Sequence, residues 1–570
     1  MSNLSGKIID PRGKQPRELL KLAKRPTLEE LKDGKVIFYN NTKLYHNNYM
    51  TIFHHTKEKL AKEGVTNVVE FAETPRGKTN QNLRDYAAKL AAEKPVAAIV
   101  AIGDVGVSPA CTVVSIALEE LGIPTLYITA PPGTDLVRAV AHYRAGQLCI
   151  TNFEDLFPGN TIGEIEAMID EQWPSMMDAL LLPPGEIEKR ADLQFEVDTG
   201  VTGKDEPEDL GKKITLRPED LSEPAPGIKQ ITDLFNDLHI SDGLPIIPPT
   251  RRRYDKMLSY CPFDPDTVLA EKIGPSGKDI LIRDVAIAAV MAGCKPQHMP
   301  ILIAAFKAMA NPKYNLLQAV TTSHPGGNLV LVSGPLAQEV GLYGGQGCLG
   351  PGFPANLTVG RAVNVVSINT CRAVPGLSDL ANISSQAELT YCFAEEPSLT
   401  PWKTINAERY DEKTTTVFVL KAEPIHDIID FLSPTAGDLL DTIVDCSTTL
   451  GSNNAYITGP MVVVLTPDHG WLLDREGWTK DKIREHIHAR ATNEVPMLIG
   501  RGINPVRPAS FADKHPMPVT RYPQDIEIVI AGGRGGHSAI ILPWALHSEA
   551  IVEKVVLPDG SIPSSIEAFK

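Results

Sequence analysis

The chain offers few of the residue patterns that usually declare a function. Its eight cysteines, at 111, 149, 261, 294, 348, 371, 392 and 446, are widely spread and contain no Cys-x-x-Cys pair. That excludes a disulfide scaffold or zinc ribbon and fits a reducing compartment. No uncharged run long enough to cross a bilayer is free of glycine and proline clusters, and the opening MSNLSGKIIDPRGK lacks the apolar core of a secretion signal. A cytoplasmic protein with no membrane partner is therefore expected. Positive charge is in deficit, with 55 Lys and Arg against 70 Asp and Glu and a net charge of −15. Such a field repels phosphate backbones, so nucleic acid is not an expected partner. A small anionic molecule stays open, because backbone N–H groups and single arginines act at short range.

What is present is enough for large cores. An apolar share of 43% with 22% charged residues belongs to a packed chain, and 570 residues exceed one ordinary core, so at least two domains are expected. Residues 1–30 are basic and proline-punctuated and read as an N-terminal arm. From 31 to 182, short β-branched runs alternate with helical stretches: VIFYN, VTNVVEF, VAAIVAIG and IPTLYIT, with helices around 48–63, 80–93 and 112–122. This pattern predicts a flavodoxin-like, doubly wound parallel sheet whose ligands bind beyond the carboxyl ends of the strands. Residues 183–230 read as a linker with one short strand pair. Residues 231–570 read as a larger α/β domain, open to division into two subdomains, with apolar helices at RDVAIAAVMAGC and MPILIAAFKAMA. Its strands are read at NLVLVSG, AVNVVSI, TTTVFVLKA, PMVVVLTP and DIEIVIAGG.

The sharpest local feature is AIGDVGVSPACTVVSIALEELGIPT, in which a strand ends at Gly103-Asp104 and a helix is expected to begin at about Cys111-Thr112. A thiol there would feel unpaired N–H groups and the positive end of the helix dipole, both of which favour the thiolate. Cys111 is thus the candidate nucleophile, with Asp104 orienting a base and Thr112 capping the helix or holding substrate. A small buried cysteine that starts a packed helix would read the same way.

In these residues the chain resembles the UGSC-motif selenoproteins and their cysteine homologues. The frame is carried by Gly103-Asp104, Cys111-Thr112 and Gly122-Ile123-Pro124-Thr125. Val105 stands where the resemblance implies selenocysteine, and Val107-Ser108-Pro109-Ala110 replaces a short spacer, so only the second, cysteine position carries over, onto Cys111. The resemblance extends to SDGLPIIPPT, RDVAIAAVMAGCKPQHMPILIAA, GPLAQEVGL, LGPGFPANLTVGRA and TPDHGWLLDREGWTKDKI of the second domain.

Two glycine loops in that domain have the residue types of an anion site. GLYGGQGCLGPGFPANLTVGRA offers the backbone of Gly344, Gly345 and Gly347 with Asn356 and Arg361 as side-chain donors, and AGGRGGHSAI presents Arg534, His537 and Ser538 near an expected helix start. His324, in TTSHPGGN, and His537 are candidate acid–base groups. Glu395, beside Glu396, is the one weak metal-ligand candidate, and no cofactor is identifiable.

These residues support a small-molecule enzyme that uses the Cys111 thiolate for redox or carbon–heteroatom bond chemistry on a small anionic substrate. Two alternatives stand beside it. One is a metal-dependent lyase; the other is a ligand-binding or assembly subunit whose thiol or selenol partner protein carries the missing group. A homo-oligomer is expected.

Overall fold

In the computed structural model the described residues are 10–12, 21–40, 47–72, 79–103, 108–131, 133–144, 147–153, 161–190, 192–193, 228–499, 501–502, 516–544 and 548–570. The expected strand pair in the linker lies outside them, as does Asp104.

The first domain is a five-stranded parallel sheet of β1 (Val36–Asn40), β2 (Val68–Phe71), β3 (Ala97–Gly103), β4 (Thr125–Thr129) and β5 (Cys149–Asn152), in the order β2-β1-β3-β4-β5. This is the flavodoxin-like order. Alternation along each strand feeds both faces. Val36 and Phe38 join the helices Asn47–Lys62 and Ile162–Leu181 in one core, while Ile37 and Tyr39 join Asn80–Ala92 and Ser108–Glu120 in the other. The helix Asn80–Ala92 shows how the sequence dictates this. Thr79 caps it by accepting from the Asn82 N–H, and Leu83, Tyr86, Ala87 and Leu90 line a single buried stripe.

The basic arm is corrected in part. Leu22, Ala23 and Arg25 are buried within the domain. Arg25 donates to both Glu119 carboxylate oxygens, to the Ala179 carbonyl and to Cys149 Sγ. The stretch KLAKRP reads as an arm because nothing local reveals the carboxylate that meets its arginine.

The second region is a four-layer sandwich. After the hairpin β6 (Val268–Ile273) and β7 (Lys278–Leu281), β8 (Gly327–Ser333), β9 (Cys392–Ala394) and β10 (Thr416–Ala422) form one sheet with the last strand, and β11 (His426–Ile429), β12 (Met461–Leu465) and two later strands form another. Numbering continues through β13 (Thr492–Asn493), β14 (Met517–Pro518), β15 (Ile526–Ile530), β16 (His537–Ile541) and β17 (Ile551–Lys554), giving sheet orders β17-β10-β8-β9 and β11-β16-β12-β15. Leu329, Leu331, Phe418 and Leu420 meet Val462, Val464, Val529 and Ile541 between the sheets. The outer face of the first sheet is covered by the helices Ile282–Ala292, Met299–Met309 and Pro354–Asn369, and that of the second by Ala436–Cys446, Pro467–Arg475 and Lys480–Arg490.

Two expectations fail here. AVNVVSI is not a strand but the core of the helix Pro354–Asn369, started by Pro354 at its first position and buried on nearly all sides. Tertiary burial overrides the modest helix penalty of its β-branched residues. The segment after Gly535-Gly536 enters strand β16 rather than a helix.

The domains meet directly. Leu317 joins the core around Cys111, Leu380 packs on Leu136 and Val140, and the Arg372 guanidinium lies 5.6 Å from the Tyr143 ring centroid. Arg144 donates to the Gly274 carbonyl at 3.0 Å, and Lys278 to the Arg12 carbonyl at 2.7 Å.

Candidate active site

The structure places Cys111 in the first turn of the helix Ser108–Glu120, which begins three residues earlier than expected. Cys111 is fully buried, with its sulfur 4.0 Å from the Tyr39 hydroxyl. Thr112 turns its hydroxyl back to the Ser108 carbonyl at 2.8 Å, and Tyr127 donates to the same carbonyl at 3.2 Å. Burial pushes both Tyr39 and Tyr127 well above the ordinary phenol range, so neither offers a base. Burial likewise pushes up the thiols of Cys149, Cys261, Cys294, Cys348, Cys371, Cys392 and Cys446.

The two glycine loops come together, but on each other. Gly345 bridges Gly532, the Gly532 N–H donates to the Gly344 carbonyl at 2.7 Å, and a side chain at Gly533 would strike Gln346. Gly347 makes a left-handed turn at φ 76°. Asn356 pins this loop from behind, accepting from the Tyr343 N–H and donating to the carbonyls of Tyr343 and Cys348. Arg361 faces elsewhere, forming a two-pronged ion pair with Asp242. In the second loop the anion already has an occupant: the Asp468 carboxylate takes the Gly535 N–H at 2.7 Å and the Arg534 guanidinium at 2.9 Å. Ser538 is buried against His469 Nδ1 at 2.6 Å, whereas His537 is exposed beside Asp427. The donors expected to bind substrate are thus engaged with the chain itself, because a glycine-rich backbone that suits a ligand suits an internal carboxylate or strand equally well.

His324 Nδ1 accepts from the Gly326 N–H, and its Nε2 lies 3.4 Å from Glu423. Glu395 is buried, with Oε2 held by Ser333 at 2.6 Å and the Ile405 N–H at 2.9 Å, and burial pushes its pKa up to about 7. Among the described residues no group of three or more His, Cys, Asp or Glu side chains is placed to hold a metal ion.

The chemistry-bearing cluster that sequence reasoning missed lies at one end of the sheet β17-β10-β8-β9. Lys421 of β10 and Asn328 of β8 are register partners there, ending the face that Val330, Val332, Val417 and Val419 pack against helices. Together with Asn364 and Ser367 of the helix Pro354–Asn369 and the loop carrying Asp379, Ser384 and Glu388, they line a cavity of about 230 Å³. Lys421 Nζ lies 3.6 Å from Glu388 Oε1, and Ser384 donates its hydroxyl to the other oxygen. Desolvation holds Lys421 below its ordinary pKa despite the opposing pull of Glu388 and Asp379. Burial, reinforced by Glu388, pushes Asp379 up to about 6.

Polar groups inside the cavity are arranged in series. The Tyr314 hydroxyl donates to Asn328 Oδ1 at 2.7 Å, and Asn328 Nδ2 donates to Asn364 Oδ1 at 3.1 Å, which leaves Asn364 Nδ2 buried without a partner. An unsatisfied buried amide costs about 1–3 kcal/mol unless a ligand takes it up. The loop over the cavity is bracketed by Arg372 and Ser384, non-glycine residues at φ 61°. Such left-handed backbone, costing about 1–2 kcal/mol per residue, concentrates at functional sites. The signals for this cluster were a lysine inside TTTVFVLKA and an asparagine inside AVNVVSI, polar residues placed where a core strand or helix has no use for them.

Among the comparisons with known proteins, the family model described as the UGSC family matches residues 7–146, the sheet domain through the end of the helix Gly133–Tyr143. The cavity around Lys421 and the second-domain stretches of the resemblance lie outside the match. No curated protein and no solved structure matches the chain. Among the described residues, no helix is long and apolar enough to cross a membrane.

Proposed function

We propose, for a chain that matches the UGSC family model over residues 7–146, a small-molecule enzyme that performs acid–base chemistry at a carbon–heteroatom bond in the Lys421 cavity. The observation that carries this reading is a lysine and two carboxylates lining one cavity, with an unpartnered amide donor beside them. Enzymes build such environments to bring proton carriers toward neutral pH. Asn364 Nδ2 holds a substrate oxygen, Lys421 and Glu388 exchange a proton, and Asp379, its pKa raised by burial and by Glu388, supplies or accepts the second. The substrate is small and carries at most one negative charge, since Lys421 faces both Asp379 and Glu388. Competitive acetylation of the full chain, followed lysine by lysine from about pH 6 to about pH 10, tests this reading. Lys421 should label with a midpoint below that of exposed lysines; an ordinary midpoint, or no labelling, would remove the proton carrier on which the reading depends.

A second reading keeps Cys111 as the reactive group. Its support is position: it sits in the first turn of a helix within the family-matched residues, facing a tyrosine hydroxyl. Alkylation of the native protein at Cys111 ahead of the other cysteines would favour it.

A further inference from the structure

We propose that Lys421 captures its substrate covalently, as an imine, and that the substrate is therefore a small aldehyde or ketone. This rests on the reading of the Lys421 cavity as the active site. Three features of the geometry lead to it. The amine is fixed at the end of β10 against its register partner Asn328, so it is presented to the cavity rather than left to wander. A carboxylate acceptor for its proton, Glu388 Oε1, lies 3.6 Å away. The buried donor without a partner, Asn364 Nδ2, suits a carbonyl oxygen and the hydroxyl that the carbonyl becomes.

The step balances within these residues. Glu388 takes one proton from the Lys421 ammonium, and the freed Nζ lone pair forms a bond to the carbonyl carbon as the carbonyl π electrons move to oxygen. Asp379 protonates that oxygen and recovers a proton from nitrogen, giving a carbinolamine. The hydroxyl then leaves as water with the proton returned by Glu388, and the nitrogen lone pair completes the protonated imine. The net change is ammonium plus carbonyl to iminium plus water, with both carboxyl groups back in their starting states. Desolvation of Lys421 assists the first transfer.

Trapping on the intact chain tests this. The protein is incubated separately with pyruvate, glyoxylate and glycolaldehyde in the presence of cyanoborohydride, which delivers hydride to an imine and makes the link a stable secondary amine. Peptide mass spectrometry then locates the adduct. The expected result is modification of Lys421 above the background on exposed Lys57 and Lys313, with loss of that peptide adduct in K421R. Lys278 is a stringent internal comparison. It is half-buried, with its pKa lowered to about 8, but its ammonium is tied to the Arg12 carbonyl at the domain boundary. Adducts no greater on Lys421 than on the exposed lysines, with all three carbonyls, would overturn the inference. If acetylation nevertheless finds Lys421 reactive below the ordinary range, the acid–base reading stands without the imine; if Lys421 is inert to both reagents, both readings fall.

Discussion

Substituting Glu395 by Gln should make the protein more stable in alkaline solution and leave it nearly unchanged in acid. Glu395 is buried between Ser333, the Ile405 N–H and Lys480, whose Nζ stands 4.0 Å from an Oε1 that accepts no hydrogen bond. Burial is the largest cause of its rise from 4.5 to about 7, and the pull of Lys480 only partly opposes it. A group whose pKa is higher folded than unfolded contributes stability that is fully present below the unfolded value and is lost as pH rises through the folded one. Here the window runs from about 4.5 to about 7, and its full depth is ~3 kcal/mol, an upper figure because each pKa unit is worth about 1.4 kcal/mol. Glutamine keeps an oxygen for Ser333 and Ile405 and carries no charge to desolvate, though it forfeits the attraction to Lys480, so a net gain of ~1–3 kcal/mol at about pH 8.5 is expected. Urea denaturation at about pH 5 and about pH 8.5 measures it, since the midpoint and slope give the free energy at each pH. A difference between the two proteins that does not change with pH would refute the argument and return Glu395 to an ion pair whose charge stabilises the fold.

Replacing Arg25 by Met should cost ~3–5 kcal/mol, because Glu119 would remain buried without its counter-ion, and the loss should appear in urea melts of the full chain. Asn364→Leu should raise the concentration of a trapped carbonyl that half-saturates Lys421 by about tenfold, the value of one lost hydrogen bond of ~1.4 kcal/mol. Asp379→Asn should flatten the fall in stability that the wild type shows as pH rises through about 6, read as urea midpoints over that range. Native Cys111 should resist iodoacetamide until urea opens the sheet domain, given its full burial; rapid native labelling would instead favour the thiol reading.

The first domain was legible because its strands are buried on both faces and therefore appear as unbroken β-branched runs, with amphipathic helices between them. The second was legible in its strands but not in AVNVVSI, whose apolar run suits a buried helix as well as a strand until its length and neighbours are known. The site was harder to read for a different reason. Glycine loops and exposed histidines are conspicuous in a sequence, yet Gly344 is paired with Gly532, and Asp468 fills the loop at Arg534. Lys421, Asn364, Asp379 and Glu388 carry no motif. They meet around one cavity only through the register of β8 with β10 and the fold of one loop over a helix end, relations that one chain's residue order does not display.

The same loop ties the cavity to the first domain. Asp379 lies between Leu380, which packs on Leu136 and Val140, and the turn at Arg372, whose guanidinium covers Tyr143 and donates to the His239 carbonyl. Ser378 fixes that turn from within by donating to the Arg372 carbonyl and accepting from the Val374 N–H. Leu136, Val140 and Tyr143 all belong to the helix Gly133–Tyr143, whose Thr134 hydroxyl reaches Thr129 and Asn152 at the carboxyl ends of β4 and β5. In a sheet of this order, that edge is where ligands bind. The first domain thus supplies the wall against which the Asp379 loop is set, and a displacement of the helix Gly133–Tyr143 would reach Asp379 through side-chain packing alone. On this geometry the loop that carries Asp379 is set by side chains of both domains, so the proposed site in the second would depend on packing supplied by the first.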